Sequence, residues 1–249
     1  MPVEPKLAAT VVLLREKSAN IDSEDDCEFE VFMAKRHKNT KFMSEHHVFP
    51  GGALDVQDLT KESKARLIGV GEKVISRLAE ICEDPANIWI IAIRELFEET
   101  GVLIATDKEG NSLGKIGEKP KKLKKYQKKL QTNRKTMTDV LAKEDLFYAG
   151  NNLRYFGRLI TPEISPIRFD TQFFVCEFPQ AQNINLFNDE LTEYLWGTPK
   201  QILEKSKKGE IKLIYPQYST LQRLRKFKTI QEVFDSSKNI SSHNRLDDI

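Results

Sequence analysis

The sequence predicts an α+β fold built on a mixed β-sheet, and two observations support this prediction. Segments 6–14, 29–34, 154–160 and 171–178 are rich in β-branched and aromatic residues, as strands are, and residues 86–100 have the length and apolar spacing of a helix. Strands and helices do not alternate regularly along the chain, as they would in a parallel α/β fold. An α+β arrangement therefore fits the pattern best.

The first part of the chain predicts three strands. A polar stretch rich in turn-forming residues separates segments 6–14 and 29–34, which predicts two strands joined by a loop. A third strand is predicted to end at 48–49, because the Pro-Gly-Gly sequence at 50–52 permits backbone conformations closed to other residues and marks a sharp turn. Residues 61–80 predict one or two helical turns on the surface.

The segment 86–100 gives the strongest helical prediction. Gly101 follows it directly and fits the left-handed residue that commonly closes a helix. A strand is predicted next at 102–105, and two further helices are predicted at 199–205 and 221–234.

We expect one domain over residues 1–249 that carries two insertions, at about 59–86 and about 112–150. The second insertion contains a basic run, since residues 115–135 hold ten basic residues and one acidic residue. The run contains a single aromatic residue, Tyr126. It therefore lacks the several aromatic side chains on which a binder of single-stranded nucleic acid stacks the bases. The run therefore predicts a partly helical, solvated face.

Composition and charge exclude several classes of protein. Lys plus Arg (39) nearly balance Asp plus Glu (37), so the chain lacks the large positive net charge that would indicate a nucleic-acid binder. No apolar stretch approaches the roughly 20 residues needed to cross a bilayer, and the chain starts without an apolar signal core. Three widely spaced cysteines indicate free thiols in a reducing compartment. We expect an intracellular protein, cytoplasmic by default, without a membrane or nucleic-acid partner.

Residues 94–102 carry the most informative pattern, RELFEETGV. On a helix, positions i, i+3 and i+4 lie on one face, so Glu95, Glu98 and Glu99 share one small surface. Like charges at this spacing repel one another, and a divalent cation relieves the repulsion. Carboxylate oxygens suit Mg²⁺ or Mn²⁺, which also bridge to substrate phosphates. Taken alone, the pattern is more typical of a solvated acidic face, and its surroundings have to decide.

Those surroundings resemble the Nudix box, Gly-x5-Glu-x7-Arg-Glu-U-x-Glu-Glu-x-Gly-U, where U is apolar. The second half matches from Arg94 to Val102 at every specified position. In the first half, Gly52 is followed six positions later by Asp58, where the motif has Glu, and 35 residues separate Asp58 from Arg94 instead of seven. The box is therefore split by an insertion of 28 residues, which a surface loop can absorb at little entropic cost.

The split box is similar to that of the motif 19 subfamily of nucleoside diphosphate-linked moiety X hydrolases. Three further stretches look similar: HVFPGG at 47–52, ITP at 160–162 with PIRFDTQFF at 166–174, and WGTP at 196–199 with LIYPQ at 213–217. This resemblance implies a Nudix-type α/β/α sandwich with a mixed sheet, its Nudix box split by a helical insertion. It also implies hydrolysis of the diphosphate bond of coenzyme A or acyl-CoA, giving adenosine 3′,5′-bisphosphate and (acyl-)4′-phosphopantetheine.

The resemblance assigns roles to residues of the box. Glu95, Glu98 and Glu99 are the expected ligands of Mg²⁺ or Mn²⁺. The expected catalytic residues are Glu98, Glu99 and Arg94: Glu98 either joins the ligands or accepts the proton of the attacking water, and Arg94 orients the carboxylates. An ordinary surface ion pair is the alternative role for Arg94.

Coenzyme A carries a diphosphate and a 3′-phosphate, so its site should contain basic side chains beside the metal. The expected substrate-binding residues are Arg36, Gly51, Gly52 and Arg168. Arg36 lies at the end of the second predicted strand, and Arg168 precedes a strand in one of the similar stretches. For each arginine, an ordinary surface charge is the alternative.

Residues outside the box have weaker assignments. Glu190 and Asp189 are candidates for a general base because they lie in a predicted loop, where solvated charges are the alternative. Asp58 either supports the site or has no role. His46 and His47 lack a spaced carboxylate or cysteine partner and are expected to be structural.

Two alternative functions and one alternative location stay open. The chain could act on another nucleoside diphosphate derivative, such as ADP-ribose, a dinucleoside polyphosphate or an RNA cap, or could be a non-catalytic anion-binding module that uses its basic run. The resembling subfamily is described as peroxisomal, so a peroxisomal or mitochondrial matrix is the alternative to the cytosol. The residues Asp247, Asp248 and Ile249 are not a Ser-Lys-Leu type of address.

Overall fold

The computed structural model describes residues 3–18, 26–40, 43–112, 120–132, 134–187, 190–238, 240–241 and 243–246. The strands in these segments are β1 (Lys6–Glu16), β2 (Phe29–Arg36), β3 (His47–Val48), β4 (Gly51–Ala53), β5 (Leu67–Ile68), β6 (Ala105–Thr106), β7 (Phe147–Ala149), β8 (Leu153–Ile160), β9 (Phe169–Glu177) and β10 (Leu191–Gly197). The helices are α1 (Lys61–Ala65), α2 (Glu72–Ser76), α3 (Asn87–Thr100), α4 (Pro120–Gln131), α5 (Met137–Glu144), α6 (Pro199–Lys207), α7 (Tyr215–Leu224) and α8 (Ile230–Ser236). Two 3₁₀ turns span Val56–Leu59 and Gly150–Asn152.

The central sheet is mixed, as predicted. Its strand order is β10-β2-β1-β9-β8, with β3 paired to β2 and β4 paired to β1. β1 runs parallel to β9, with Ala9 opposite Gln172, and antiparallel to β2. A second, smaller sheet has the order β5-β7-β6 and takes one strand from each of the two predicted insertions.

Helix α3 packs across β1 and β4 of the central sheet. Trp89, near the start of the helix, is buried against Phe174 of β9, with their ring centroids 5.0 Å apart. Burying a side chain such as Phe174 stabilises the fold by about 1.5–3 kcal/mol. Helix α8 also contacts β1 and β9. The packing places the C-terminal end of α3 beside the glycines of β4.

Strands predicted at 6–14, 29–34, 154–160 and 171–178 are confirmed by β1, β2, β8 and β9. The strand predicted at 102–105 is largely wrong. The side chain of Gln182 accepts a hydrogen bond from Leu103 N and donates one to Leu103 O, both at 2.8 Å. These bonds occupy the backbone of Leu103, so the chain enters a sheet only at residues 105–106.

The helix predicted at 221–234 is wrong as a single helix, since the chain forms α7 and α8 with a break between them. Thr229 starts α8 by accepting a hydrogen bond from Glu232 N at 3.1 Å, and this local cap restarts the helix. The sequence pattern does not predict β10, an edge strand in which Thr192, Glu193 and Tyr194 are exposed.

The segments predicted as insertions contain short elements. The first, about 59–86, holds α1, β5 and α2, and the described part of the second, about 112–150, holds α4, α5 and β7. Within the described ranges, no helix has the length and apolar character needed to cross a membrane. The prediction about the C-terminal residues 247–249 lies outside the described residues.

Replacement of Gly101 by Ala should destabilise the protein. Gly101 closes α3 as predicted, with φ 73° and its N–H donating to Phe97 O at 2.9 Å. A left-handed non-glycine residue costs about 1–2 kcal/mol, and a Cβ here would also lie 3.2 Å from Asn185 Cβ. Urea unfolding of Gly101→Ala should show at least this loss.

Gly110→Ala is the matched control, because Gly110 has φ 85° but no atom within 4 Å of its added Cβ. A smaller loss for Gly101→Ala than for the control would contradict the proposed crowding.

Candidate active site

A buried guanidinium organises the second half of helix α3. Arg94 is 3% exposed, and its Nε and Nη2 donate to the two carboxylate oxygens of Asp58 at 2.7 and 2.8 Å. Nη2 also donates to Ala53 O at 3.0 Å, which ties the helix to β4. Burial acts to lower the pKa of Arg94, but the hydrogen bonds to Asp58 and the nearby carboxylates raise it above its ordinary value. Arg94 is therefore a buried, charged group and not part of a surface ion pair.

Arg94 also contacts two of the three glutamates of its own helix. Its Nη1 donates to Glu95 Oε1 at 2.7 Å and to Glu98 Oε2 at 3.3 Å. Glu99 is held differently, because its Oε2 accepts a hydrogen bond from Gly51 N at 3.0 Å. The contacts agree with an orienting role of Arg94 for Glu95 and Glu98.

Burial disfavours the charged form of all three glutamates. Burial raises the pKa of Glu95 above its ordinary value, and burial raises the pKa of Glu98 to about 7. Burial, and then the charge of Glu95, raise the pKa of Glu99 well above its usual range. Three carboxyl groups, those of Asp58, Glu95 and Glu98, contact the guanidinium of Arg94. One cation cannot balance all three, and the favourable partners of Glu99 are Gly51 N and the charge of Arg36.

Gly51 and Gly52 serve close packing and not a turn. They begin β4 and pair with Thr10 and Ala9 of β1, and neither has a positive φ. A Cβ on Gly51 would lie 2.4 Å from Ala9 O, and a Cβ on Gly52 would lie 2.5 Å from the Glu95 carboxylate. The expectation of a special backbone conformation at these glycines is therefore wrong. The close approach of β4 to β1 and to α3 is the physical reason for both.

The donor set of this site fits a hard divalent cation, because it consists of carboxyl oxygens gathered in a largely buried place. In the segments that the structure describes, however, no three His, Cys, Asp or Glu side chains are assembled as a ligand set. Arg94 holds Glu95 and Glu98, while Gly51 holds Glu99. Mg²⁺ commonly binds one or two carboxylates together with waters and substrate phosphates. The chemistry of the site suits such an ion, although the three expected ligands are not preassembled.

Two predicted residues from outside α3 lie near the glutamates. The charge of Arg36, at the end of β2, lowers the pKa of Glu99, and Arg36 Nε is buried without a hydrogen-bond partner in the described part of the chain. Glu190 is exposed, and its negative charge raises the pKa of both Glu95 and Glu99. The fold thus brings Arg36 and Glu190 to the carboxylate site.

Other predicted residues are placed elsewhere. Arg168, the residue before β9, donates through Nε to Thr161 O at 3.0 Å and through Nη1 to Val3 O at 2.7 Å, so it joins the segment after β8 to the N-terminal segment. His47 is buried in β3, where burial lowers its pKa to about 4, which agrees with a structural role. Asp189 lies outside the described residues.

Sequence reasoning did not identify two glutamines that contact α3. Gln127 and Gln131 of α4 both donate to the backbone carbonyl of Glu98. Their spacing of four residues within the basic run places them on one helical face, and this spacing was the available signal. The abundant lysines on either side obscure it.

Comparison with known proteins gives a family match. Residues 76–224 match the family described as the NUDT19 Nudix domain. The chain is 28% identical over 236 residues to the acyl-coenzyme A diphosphatase NUDT19 of Xenopus laevis, covering 83% of this chain and 62% of that protein. It is 30% identical over 200 residues to the putative nudix hydrolase 7 of Caenorhabditis elegans, covering 80% of this chain and 56% of that protein. The chain thus spans less than two thirds of the length of these relatives.

A solved structure is similar over nearly the whole chain. The crystal structure of a NUDIX hydrolase from Alicyclobacillus acidocaldarius has a TM-score of 0.74 and 26% sequence identity, and the match covers 93% of this chain and 96% of that one. The similarity confirms the predicted Nudix-type α/β/α sandwich.

The two glycines of β4 should respond differently to replacement by Ala. Gly51→Ala should lower the free energy of unfolding by about 1–3 kcal/mol, because its Cβ meets backbone atoms of Ala9 and Thr10 that cannot move aside. Gly52→Ala should cost less stability, because the atoms nearest to its Cβ belong to the end of the Glu95 side chain, which can rotate away more easily than backbone can. Urea unfolding of both variants measures the difference, and a larger loss for Gly52→Ala would be inconsistent with this geometry.

Loss of Asp58 should destabilise the fold strongly. Asp58→Ala removes both hydrogen bonds to the side chain of Arg94 and should lower the free energy of unfolding by about 3–5 kcal/mol, because a buried charge loses its main partner. Glu210→Ala is the control: it breaks an exposed pair with Lys205 at 3.2 Å and should cost under about 1 kcal/mol. Denaturant titrations that give equal losses would show that the Arg94–Asp58 pair contributes no more than a surface pair.

Proposed function

This chain belongs to the NUDT19 Nudix domain family, and from that premise we propose that it hydrolyses the diphosphate bond of coenzyme A or acyl-CoA with the help of a divalent metal. The products are adenosine 3′,5′-bisphosphate and (acyl-)4′-phosphopantetheine. The observation that carries the proposal is the buried carboxylate network around Arg94, packed against Gly51 and Gly52. The name of the Xenopus laevis relative, acyl-coenzyme A diphosphatase, supports the choice of substrate.

We assign Mg²⁺ or Mn²⁺ to Glu95 and Glu99, with Glu98 beside them. These carboxylates are the hard oxygen donors that such ions prefer, and their raised pKa values reflect burial without enough positive charge. When bound, the ion supplies charge neutralisation on the phosphate oxygens and lowers the pKa of a water molecule.

Arg94 and Glu98 have separate tasks in the site. Arg94 positions the helix carboxylates, since its Nη1 contacts both Glu95 and Glu98. The side chain of Glu98 is 22% exposed, compared with 15% for Glu95. This greater accessibility favours Glu98 as the group that accepts the proton of the attacking water at a carboxylate oxygen.

Arg36 is the proposed phosphate-binding residue. Its buried Nε has no hydrogen-bond partner in the described residues, and an unsatisfied buried donor is costly unless a ligand completes it. Its positive charge also lowers the pKa of Glu99, which supports a role of Arg36 beside the proposed metal site. A phosphate oxygen of the substrate would satisfy the donor with a charge-assisted hydrogen bond.

A substrate panel tests this proposal. The purified protein is incubated with Mg²⁺ or Mn²⁺ and with CoA, acyl-CoA, ADP-ribose, diadenosine polyphosphates and capped RNA, and products are separated by chromatography. We expect adenosine 3′,5′-bisphosphate to appear from CoA or acyl-CoA. Cleavage of another compound with CoA left intact would overturn the substrate choice. No cleavage with either metal would favour a non-catalytic anion-binding module.

Glu99→Gln should lower the turnover of the preferred substrate by about 10² to 10⁴, because the change removes one negative charge from the proposed metal site. Glu72→Gln in α2 is the matched control, since Glu72 is exposed and lies outside the carboxylate network. Its rate should equal that of the wild type. A near-normal rate for Glu99→Gln would contradict the ligand role.

A further inference from the structure

The last turn of α3 needs hydrogen-bond partners from outside the helix. The final carbonyls of any α-helix have no partner within it. In α3, the carbonyl of Phe97 accepts from Gly101 N at 2.9 Å, that of Glu99 from Phe187 N at 3.0 Å, and that of Thr100 from Asn185 N at 2.7 Å. Backbone groups therefore satisfy three of these four carbonyls.

The carbonyl of Glu98 is satisfied differently. Val102 N, which could have reached this carbonyl, donates to Thr100 Oγ1 at 3.2 Å instead. Two side chains of α4 take its place: Gln127 Nε2 donates to Glu98 O at 3.1 Å, and Gln131 Nε2 donates to the same oxygen at 2.6 Å.

This contact is built into the packing of α4. Gln127 is 2% exposed, and Tyr126 and Leu130 are buried beside it. Gln127 also exchanges hydrogen bonds with Asn185: its Nε2 donates to Asn185 O at 2.8 Å, and Asn185 Nδ2 donates to its Oε1. The lysines of the helix lie mostly outside this interface, since Lys122, Lys124, Lys125 and Lys128 are exposed.

The position of the contact matters for the chemistry. The Glu98 carbonyl belongs to the peptide group that joins Glu98 to Glu99, and the planar peptide fixes the distance between their two Cα atoms. A tilt of this peptide therefore moves both side chains together. Displacement of reacting groups by about 1 Å can lower a catalysed rate by about 10².

We propose that Gln127 and Gln131 are positioning residues of the active site, which hold the Glu98–Glu99 peptide so that both carboxylates keep their working geometry. The inference rests on the proposed function, because it assigns the two glutamines to that same site. It gives the basic insertion a role in catalysis that depends on its two amides and not on its lysine charges.

Three variants of α4 test the proposal. Gln131→Glu keeps the shape of the side chain but replaces the donor with a carboxylate that repels the carbonyl. Gln131→Lys replaces the amide with another donor of similar reach. Lys128→Gln changes the net charge by the same amount as Gln131→Glu, but on the exposed side of the helix.

Two readouts are measured well below each variant's unfolding midpoint, with circular dichroism confirming that the protein is folded. The first is kcat and KM for the substrate that the wild type cleaves. The second is the affinity of the free protein for Mn²⁺ by calorimetric titration, which needs no turnover. Loss of a residue that supports a metal ligand typically costs about 10- to 100-fold in metal affinity or activity.

We expect Gln131→Glu to lower kcat and Mn²⁺ affinity by about tenfold or more, with little change in KM. Gln131→Lys should keep most of the wild-type kcat and Mn²⁺ affinity, and Lys128→Gln should match the wild type in both quantities. The positioning role is overturned if Gln131→Glu behaves like Lys128→Gln, or if Gln131→Lys is as impaired as Gln131→Glu.

The two proposals can fail separately. If the wild type cleaves none of the panel but Gln131→Glu still weakens Mn²⁺ binding, the proposed function falls, while the positioning of the metal-binding carboxylates by Gln131 stands. If the wild type cleaves CoA and all three variants behave alike, the function stands and the positioning role falls. A wild type that neither cleaves nor binds Mn²⁺ overturns both.

Discussion

The two hydrogen bonds between Arg94 and Asp58 are the interaction on which the arrangement of this site depends. They join the two halves of a motif that the sequence separates by 35 residues. The same guanidinium reaches Ala53 O on one side and Glu95 and Glu98 on the other. This pairing therefore holds the residues around Asp58 against α3, although 35 residues separate Asp58 from Arg94 in the sequence.

This arrangement has an electrostatic consequence. A buried charge is tolerated only when it is paired, and here the guanidinium of Arg94 faces three carboxyl groups, those of Asp58, Glu95 and Glu98. The close approach of Gly52 to Glu95 leaves no room for a side chain on β4 that could add a compensating group. The protein thus gathers several carboxyl groups in a confined place, and a small divalent cation with its bound phosphates would favour their charged form.

Both segments predicted as insertions contact the same helix, α3. The first carries the chain from Asp58 to α3, and α1 within it contacts α3. The second supplies Gln127 and Gln131 to the carbonyl of Glu98. Helix α3 is therefore supported by these two segments as well as by the sheet, so both segments contribute to the structure around the site.

Local spacing was enough to predict the main strands, the carboxylate helix and its end at Gly101, because these depend on apolar periodicity, helical geometry and the conformational freedom of glycine. Spacing also placed Glu95, Glu98 and Glu99 on one face. It could not predict the parallel pairing of β1 with β9, the burial of Asp58 against Arg94, the packing role of Gly52 or the amide contacts of Gln127 and Gln131. Each of these joins residues far apart in the chain, so only the folded arrangement, with its burial and close distances, could reveal them.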